Sequence, residues 1–240
     1  MIGYRSYGTI RQASYLARVL LRLLSRGDSK SCNVCGFKGG FSSFGFPPRY
    51  DARCPACGSL ERHRLLKFWV DGHADQLANK RLLHFAPEAA VTSYIKPMVS
   101  LYQTTDLNPA FADLVLNIES IDLPDSSFDV VLCSHVLEHV DDRKALAELY
   151  RILSPAGFAI IMVPLIEGWD KTYENPSILD AQARTKHFGQ WDHVRYYGRD
   201  IRDRIRDAGF KLQEFTAVEP QVQEYGLLRG EKVFVASKTP

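Results

Sequence analysis

Residues 126–140 read SSFDVVLCSHVLEHV, and within them a short apolar run at residues 129–134 ends in a polar segment. A run of this length suits a buried strand and is too short for a buried helix. Similar runs recur on both sides of it along the second half of the chain. The predicted strands cover residues 81–85, 101–106, 114–118, 129–134, 158–163, 211–216 and 232–236.

Helical patterns lie between several of these strands, at residues 88–96, 141–153 and 199–208. Strands that alternate with helices indicate βαβ units, and therefore a parallel sheet covered by helices on both faces. The last two strands have no clear helical pattern between them, which predicts a final antiparallel hairpin. The fold class is therefore α/β.

The loop after the first predicted strand, HFAPEAA at residues 84–90, contains no glycine. A dinucleotide-binding loop has the pattern GxGxxG at this position. Pro87 has no N–H to offer a phosphate, and the carboxylate of Glu88 would repel one. The loop therefore favours a cationic ligand without phosphate, such as S-adenosylmethionine, and Ala86 is small enough for close approach of the backbone.

The second predicted strand ends in TDLN at residues 105–108. Ligands of open α/β sheets bind outside the carboxyl ends of the strands, where an acidic residue can accept hydrogen bonds from ribose hydroxyls. Each hydrogen bond to a charged acceptor contributes roughly 1.5–3 kcal/mol. Asp106 is the candidate for this role, and a helix N-cap is its alternative.

Residues 126–140, together with ELYRILSPAG at residues 148–157, resemble the fourth-strand signature of class I S-adenosylmethionine-dependent methyltransferases of the type 11 kind. The resemblance covers residues 80–165 by motif and extends loosely through HFGQWDHVRYYG at residues 187–198 and AGF at residues 208–210. It implies a Rossmann-like methyltransferase sheet of seven strands. The whole chain also resembles a bacterial group in which a zinc ribbon precedes this domain.

The resemblance assigns cofactor roles to the matching positions. Asp106 would hold the ribose, and Leu107 would lie beside the adenine. The other implied cofactor positions belong to the first loop, the adenine edge and the end of the fourth strand: His84, Phe85, Ala86, Pro87 and Glu88, then Asn117 and Ile118, then Ser134 and His135. Where the family has glycines in the first loop, this chain has Ala86, Glu88 and Ala90.

The stretch at residues 165–198 is rich in aromatic and polar side chains, and such domains build the substrate wall here. Aromatic platforms with a few polar groups suit a sugar or a flat ring. The predicted substrate-binding residues are Trp169, His187, Trp191 and Arg195. Arg195 could bind a phosphate or carboxylate of the substrate, or it could pair with Asp192.

His139 and His193 are the candidate catalytic bases, because a hydroxyl or amine acceptor must lose a proton during methyl transfer. For each histidine the alternative is a structural hydrogen bond. The pair Glu138-His139 has no second histidine at the spacing of an HExxH helix, so a catalytic zinc is not expected.

Four of the five cysteines form two CxxC pairs, Cys32 with Cys35 and Cys54 with Cys57, and eighteen residues separate the pairs. This spacing predicts a structural zinc ion held by four thiolates. Paired CxxC motifs without a secretory signal also indicate a reducing cytosol. The predicted division is an N-terminal helix at residues 1–30, a zinc ribbon and linker helix at residues 31–72, and a methyltransferase domain at residues 73–240.

The front of the chain is basic. Residues 1–70 carry 12 Lys/Arg against 3 Asp/Glu, whereas residues 71–240 carry 18 against 25. The excess of basic residues in this front part favours an anionic partner such as RNA or a membrane surface. The alternative is that the basic part faces the acidic remainder of the same chain. Residues 11–26 form an amphipathic pattern with an arginine stripe, typical of a helix that either lies on an anionic membrane or packs on the protein.

No stretch approaches the roughly 18 apolar residues that a membrane-spanning helix needs. The predicted location is therefore the cytoplasm, with peripheral contact at the inner membrane face as an option. The favoured function is methyl transfer to a hydroxyl of a sugar or other small molecule, carrier- or lipid-linked acceptors included. The alternatives are an RNA methyltransferase whose ribbon docks RNA, and a non-catalytic binding protein. The acceptor atom is left open.

Overall fold

The computed structural model describes residues 29–45 and 47–239, so the helix predicted at residues 11–26 lies outside the described residues. The chain divides into two compact units, Met1–Arg64 with Val218–Leu228 and Leu65–Ala217 with Arg229–Pro240. The boundary thus falls earlier than residue 72, and a late segment of the chain returns to the first unit. Among the described residues, no helix has the length and apolar content needed to cross a membrane.

The first unit contains two small antiparallel ribbons. Strand β1 (Ser29–Ser31) pairs with β2 (Lys38–Gly40), and β3 (Ser42–Phe44) pairs with β4 (Arg49–Arg53). A short helix at Gln221–Glu224 belongs to the returning segment, where the sequence predicted no helix. Ribbons of this size bury little apolar surface, so other contacts must hold the unit together.

Arg64 is the central contact of the first unit. Its guanidinium is fully buried and donates to the carbonyl oxygens of Ser59 at 2.7 Å, Ala52 at 3.0 Å and Gly226 at 2.7 Å. Its Nε donates to the carbonyl of Tyr225 at 2.7 Å. One cation therefore joins the ribbon to the returning segment through backbone carbonyls, each bond replacing part of the hydration that burial removes.

The second unit is built on a seven-stranded sheet, as predicted. Its strands are β5 (Arg81–Phe85), β6 (Leu101–Asp106), β7 (Leu114–Val115), β8 (Phe128–Ser134), β9 (Leu153–Met162), β12 (Lys211–Phe215) and β13 (Val233–Ser237). The spatial order is β12-β13-β9-β8-β5-β6-β7. The strands from β5 to β9 run parallel, and β13 is antiparallel to both β9 and β12, which confirms the antiparallel final pair.

Strand β7 is shorter than predicted. It ends at Val115, because the side-chain oxygen of Asn117 accepts the backbone N–H of Glu119 at 3.0 Å and closes a turn. Strands β10 (Tyr173–Glu174) and β11 (Arg195–Tyr196) form a separate antiparallel pair within the segment that follows β9.

Helices connect the strands. They are α1 (Glu61–Gly72), which begins in the first unit, α2 (Ala74–Leu77), α3 (Ala89–Ile95), α4 (Asp142–Ile152), α5 (Ala181–Phe188) and α6 (Ile201–Asp207), with 3₁₀ turns at Lys96–Met98 and Leu137–His139. Asp141 begins α4 as an N-cap by accepting the N–H groups of Arg143 and Lys144. The apolar face of α4, including Leu146 and Leu149, is buried with the sheet in one core.

A charged group closes the amino end of the sheet. The Arg81 guanidinium donates to Oδ1 of Asp129 at 2.9 Å, and the Ser154 hydroxyl donates to the same oxygen at 2.6 Å. The backbone N–H of Arg81 donates to the other oxygen, Oδ2. Arg81 therefore lowers the pKa of Asp129 far below its usual range, and these bonds join β5, β8 and β9 away from the carboxyl ends.

Candidate functional site

Two neighbouring parallel strands end in residues with a left-handed backbone. Ala86 follows β5 with a φ of 49°, and His135 follows β8 with a φ of 55°. The strands are in register, with Phe85 opposite Cys133. This conformation costs a non-glycine residue roughly 1–2 kcal/mol, and such strain concentrates at functional sites. Because β5 has β6 on one side and β8 on the other, these ends flank the switch point where open α/β sheets bind ligands.

The loop after β5 lies beside the end of β6. The N–H of Ala86 donates to the carbonyl of Thr105 at 2.9 Å, next to the half-buried Asp106. Oδ1 of Asp106 accepts the N–H of Asn108 at 2.8 Å, so Asp106 closes a turn rather than capping a helix. Within the described part of the chain Oδ2 makes no hydrogen bond, which leaves it for a ligand.

An apolar surface continues from Asp106. The side chains of Leu107 and Phe111 are 71% and 69% exposed. Exposed large apolar side chains beside an unoccupied acceptor suit a ligand that has both a flat ring and hydroxyl groups. The position of Leu107 is therefore compatible with the adenine role that the resemblance implies.

The remaining predicted cofactor residues divide by exposure. The side chains at or near the surface are Ala86, Pro87, Glu88, Asn117 and His135, and the buried ones are His84, Phe85, Ile118 and Ser134. Nδ1 of His84 lies 2.7 Å from the hydroxyl of Tyr102. His84 therefore contacts Tyr102 in the interior, and its role at the cofactor stays a prediction.

Five polar side chains meet beyond the end of β8, and we call them the histidine cluster: His135, Glu138, His139, Asp192 and His193. Nδ1 of His135 lies 3.2 Å from Oε1 of Glu138, and Nδ1 of His139 lies 3.3 Å from Oδ2 of Asp192. The rings of His139 and His193 meet edge to face with centroids 4.6 Å apart. The structure thus brings together the two predicted bases, which are far apart in the sequence.

Backbone contacts place these side chains. The 3₁₀ turn at Leu137–His139 follows β8, and the N–H of Val194 donates to the carbonyl of Glu138 at 2.9 Å. His193 precedes Val194, so this bond holds the second histidine against the first. Sequence reasoning missed Glu138 and Asp192 as members of the cluster, although a glutamate inside the apolar run VLEHV was a detectable signal for the first.

Several buried atoms of the histidine cluster have no hydrogen-bond partner among the described residues. They are Nε2 of His135, both carboxylate oxygens of Glu138, Oδ1 of Asp192 and Nδ1 of His193. Leaving a buried polar atom unsatisfied costs about 1–3 kcal/mol, and native proteins contain few such atoms. Their concentration in one place indicates a site that binds something.

Burial and neighbouring charges set the protonation states in the cluster. Burial raises the pKa of Glu138, but the nearby His135 and His139 outweigh it, and the pKa lies below its ordinary value. Burial lowers the pKa of His193 more than the attraction of Glu138 raises it. Near neutral pH, Glu138 is therefore a carboxylate and His193 a neutral imidazole, a form that can accept a proton or bind a metal.

A second polar group lies nearby, and we call it the saturated network: Asp142, Glu174, Arg195, Tyr197 and Arg204. Oδ2 of Asp142 accepts from the Tyr197 hydroxyl at 2.9 Å and from Arg204 at 2.9 Å. Glu174 accepts from Arg195 at 2.9 Å and from Arg204 at 2.8 Å. Both carboxylates face cations that complement them, which is typical of a structural group.

The saturated network corrects the predicted pairing of Arg195 with Asp192. Its side chain is buried, and Nη1 donates to the carbonyl oxygens of Leu137 at 2.7 Å and Val140 at 2.5 Å. It pairs with Glu174 and not with Asp192, because Asp192 lies against His139. Arg195 therefore holds the turn that carries the histidine cluster, and it also lines a cavity beside that cluster.

Two of the predicted substrate-binding residues share an aromatic patch. Trp169 contacts Tyr173 and Tyr196 edge to face, with ring centroids 6.4 and 6.3 Å apart. The Tyr173 hydroxyl lies 2.7 Å from Nδ1 of His187. Trp191 is 64% exposed in the turn before the histidine cluster. Trp169 and His187 thus belong to one surface, whereas Trp191 stands on another part of the same segment.

A cavity of about 510 Å³ opens next to the histidine cluster. His139 forms part of its wall, and Glu119, Asp141 and Glu174 add carboxylates. Leu179 contributes apolar surface. The size suits a small molecule or one end of a larger one. The cavity contacts the histidine cluster through His139.

The four cysteines of the first unit converge as predicted. Sγ of Cys32 lies 3.7 Å from Sγ of Cys57, and Sγ of Cys35 lies 3.8 Å from Sγ of Cys54. Zinc–sulfur bonds of about 2.3 Å in a tetrahedron place the sulfurs about 3.8 Å apart. The donor set and its spacing therefore fit zinc.

The two knuckles repeat the same hydrogen bonds. The N–H of Gly36 donates to the carbonyl of Cys32 at 2.8 Å, and the N–H of Gly58 donates to that of Cys54 at 2.9 Å. Both glycines have positive φ, 77° and 74°. Burial raises the pKa of Cys57, but the hydrogen bonds of Ser59 outweigh it and lower the pKa to about 7. Each knuckle thus presents two sulfurs in a geometry that a side chain at the glycine would strain.

Comparison with known proteins finds a matching family and similar curated relatives. Residues 77–161 match a family described as a methyltransferase domain. The ubiquinone/menaquinone biosynthesis C-methyltransferase UbiE of Escherichia coli is 37% identical over 113 residues, covering 41% of this chain and 45% of the relative. The matched part of the chain therefore spans less than half the length of these curated relatives.

Solved structures agree on the fold. The BH2331 protein of Bacillus halodurans C-125 has a TM-score of 0.50 at 14% identity, covering 72% of this chain and 98% of that one. The YcgJ protein of Bacillus subtilis has a TM-score of 0.50 at 15% identity, covering 73% and 98%. Together with the sheet order, these similarities support a Rossmann-like fold.

Proposed function

We propose that the protein transfers a methyl group from S-adenosylmethionine to a hydroxyl of a sugar or other small molecule, carrier- or lipid-linked acceptors included. One observation carries the proposal: the strained ends of β5 and β8 lie at the switch point, and the histidine cluster and its cavity follow directly on β8. A cofactor site and a proton-accepting site are thereby adjacent in one unit.

The residues at the switch point fit the cofactor. Ala86 adopts the backbone that the family provides with glycine, and Oδ2 of Asp106 remains available as an acceptor for a ribose hydroxyl. Leu107 and Phe111 offer apolar surface for an adenine ring. When bound, S-adenosylmethionine supplies a methyl group activated by a sulfonium, and S-adenosylhomocysteine is the by-product. Glu88 and the acidic Asp106 match the positive charge of this ligand.

The acceptor side is formed by the histidine cluster and the cavity. A hydroxyl acceptor has to lose its proton, and His139 and His193 remain the candidate bases. Oδ2 of Asp192 lies 3.3 Å from Nδ1 of His139, an arrangement that orients an imidazole. The aromatic patch around Tyr173 offers a platform for a sugar or flat ring, with Trp169 and His187 as the proposed contacts.

Calorimetric titration with S-adenosylmethionine tests the cofactor site. The substitution Asp106→Ala should weaken binding by at least about tenfold, since one charged hydrogen bond contributes roughly 1.5–3 kcal/mol. Asp122→Ala removes an exposed carboxylate elsewhere in the same unit and should leave binding unchanged. Wild-type protein that takes up no cofactor would refute the enzymatic proposal and favour the non-catalytic binding protein.

The acceptor atom is tested by a labelled methyl-transfer screen over glycan, lipid, quinone and RNA fractions. The UbiE relatives are named as C-methyltransferases of quinone biosynthesis, which makes carbon the second candidate atom. Label released by ether cleavage would indicate an O-methyl group, whereas label that resists it would indicate carbon. Label confined to RNA would replace the small-molecule proposal with the RNA alternative.

We also propose that Cys32, Cys35, Cys54 and Cys57 hold one structural zinc ion. Four thiolates leave the ion no open position, so the ribbon serves folding rather than chemistry. Chelation should increase hydrogen exchange across residues 31–58, because metal binding and folding are coupled in such sites. Cys57→Ser should lower the zinc content, whereas Cys133→Ala, which changes a cysteine buried in the sheet, should not. A zinc content unaffected by Cys57→Ser would contradict the assignment.

The expected location remains the cytoplasm, with contact at the inner membrane face depending on residues 11–26. The arginine stripe of that segment motivates the membrane part of the proposal. Sedimentation with vesicles of anionic lipid tests this contact, with neutral vesicles for comparison. The matched variant replaces the four arginines of the stripe with glutamine, namely Arg11, Arg18, Arg22 and Arg26. Equal sedimentation with both kinds of vesicle would exclude an electrostatic contact.

A further inference from the structure

We propose that Glu138, His139 and His193 form a binding site for a divalent cation beside the acceptor cavity. One ligand atom from each residue lies within 4.8 Å of the others, so small side-chain movements bring all three to a single ion. Two histidines and one carboxylate are a donor set used by zinc, iron, cobalt and manganese in proteins. The sequence did not suggest this site, because the second histidine is supplied by the fold and not by an HExxH spacing.

Partners outside the three ligands hold two of them in place. Oε1 of Glu138 lies 3.2 Å from Nδ1 of His135, which directs the carboxylate. Nδ1 of His139 lies 3.3 Å from Oδ2 of Asp192, so the other ring nitrogen is available to an ion. Carboxylate–histidine pairs of this kind are the usual support of metal-binding histidines. Such outer contacts indicate a site built to hold its ligands in one orientation.

Burial gives a separate reason for an ion. Glu138 is fully buried, and neither carboxylate oxygen makes a hydrogen bond to a described residue. Nδ1 of His193 is buried and without a hydrogen-bond partner in the same part of the chain. A buried carboxylate with incomplete partners is costly, and a divalent cation would compensate its charge and satisfy the imidazole together.

The cavity gives the ion a role, and this part rests on the proposed function. Three protein ligands leave positions open, and His139 lies in the cavity wall. An acceptor hydroxyl bound there would have a lowered pKa and would lose its proton to water. Its oxygen electron pair would then form the bond to the methyl carbon as the carbon–sulfur bond breaks and sulfur keeps the pair. His139 and His193 would act as ligands in this arrangement, not as free bases.

Cobalt titration of the full chain tests the site separately from the cysteines. One equivalent of Zn²⁺ per chain is first loaded, which the four thiolates take in preference to a site of histidine and carboxylate, and Co²⁺ is then added while visible absorption and the metal content of the desalted protein are measured. Cobalt bound by histidine and carboxylate should give weak visible bands without cobalt–thiolate charge transfer. We expect one zinc and one cobalt per chain.

Variants locate the second ion. His139→Asn and His193→Ala should abolish cobalt uptake and retain the zinc, and Asp192→Asn should weaken cobalt binding about 10–100-fold through loss of the supporting contact. His187→Ala, a histidine of the same segment outside the three ligands, should leave cobalt binding unchanged. Circular dichroism verifies folding, and His139 is half-exposed, so its substitution keeps the test valid if His193→Ala does not fold.

Two results would overturn the proposal: wild-type protein that binds no cobalt beyond exchange at the cysteines, or uptake that survives both His139→Asn and His193→Ala. Neither result depends on methyl transfer. Calorimetric binding of S-adenosylmethionine by the same samples reports on the proposed function independently, so failure of the metal site and failure of the enzymatic assignment are distinguishable.

Discussion

The histidine cluster and the saturated network are built from neighbouring parts of the same chain and are completed differently. Both contain one carboxylate from residues 138–142 and side chains from the segment that follows β9. In the saturated network, Asp142 accepts from Tyr197 and Arg204 at 2.9 Å each. In the histidine cluster, the equally buried Glu138 makes no hydrogen bond to a described residue, and its Oε1 has an ion-pair contact with His135 at 3.2 Å. The fold therefore supplies partners for the carboxylates of the saturated network, whereas the histidine cluster keeps polar atoms that a ligand can satisfy.

This difference separates stabilising residues from functional ones without reference to any relative. A buried charge with complementary partners contributes to folding, because the partners replace its hydration. A buried charge without them lowers stability and persists where binding or chemistry uses it. The comparison also explains why Arg195, which resembled a substrate ligand in the sequence, belongs to the structural group.

The largest expected effect comes from Asp142→Ala. Removing this carboxylate leaves the cations of Arg195 and Arg204 partly uncompensated in the interior, so the free energy of unfolding should fall by about 3–5 kcal/mol. Urea denaturation monitored by circular dichroism measures it. Asp170→Ala, which removes an 80% exposed partner of Arg199, should change stability by less than about 1 kcal/mol. Equal losses in the two variants would remove the basis for calling the network structural.

The second prediction compares two substitutions of a carboxylate by an amide of the same shape, one in the saturated network and one in the histidine cluster. Glu174→Gln should destabilise by roughly 1.5–3 kcal/mol, since it weakens charged hydrogen bonds to Arg195 and Arg204. Glu138→Gln should change stability by less than about 1 kcal/mol, because it removes the burial cost of the charge together with the attraction of His135 and His139.

The same Glu138→Gln variant should lower methyl transfer about 10–100-fold, as losses of metal ligands or their supports do. Unfolding free energies and steady-state rates of both variants give the comparison. A Glu138→Gln variant that unfolds easily but keeps full activity would place Glu138 in the structural group instead.

Sequence patterns predicted the sheet well, because the burial of a strand or a helix is recorded in the order of apolar residues within that segment. Apolar runs such as residues 129–134 and helical repeats such as residues 141–153 record which face is buried, so the strands and helices were found within a few residues. The exceptions were β9, which begins at Leu153 rather than at residue 158, and β7, where a side-chain bond from Asn117 closes a turn and ends the strand early. Such a bond leaves no periodic trace in the sequence.

The site was predictable only in part, because its members come from distant segments. Asp106 and the cysteines could be located by their spacing from a strand or from each other. The contact of His139 with His193 depends on the backbone bond from Val194 to Glu138, which only the fold reveals. The same holds for residues 218–228, whose place in the first unit is set by the buried Arg64.

The third prediction concerns the carboxylate at the amino end of the sheet, a further satisfied group. The folded-state pKa of Asp129 is lowered, chiefly by Arg81. Its contribution is therefore complete above the unfolded pKa of about 3.9 and is lost as pH falls through that value towards the folded pKa. Because both side chains are partly exposed, the loss should be about 1 kcal/mol. Urea denaturation at a series of acidic pH values measures it, and Asp129→Asn should abolish this part of the pH dependence while Asp125→Asn should not.

The smallest expected effect tests the strained backbone beside the histidine cluster. Ala86→Gly removes a strain of roughly 1–2 kcal/mol. It also increases the freedom of the unfolded chain, at a cost of roughly 0.5–1 kcal/mol. Ala156→Gly is the matched control, because Ala156 has a φ of 60° in the first half of β9, near the amino end of the sheet. Both variants should therefore gain up to about 1 kcal/mol in unfolding free energy by denaturation.

Only the substitution at the switch point should change the calorimetric affinity for S-adenosylmethionine. Ala86→Val should weaken it most, since a β-branched side chain tolerates positive φ poorly and would narrow the approach to the backbone. If Ala156→Gly altered cofactor affinity as much as Ala86→Gly did, strain would be a general property of the sheet. The left-handed ends of β5 and β8 would then no longer mark the site, whereas a response confined to Ala86 would tie the conformation to the cofactor.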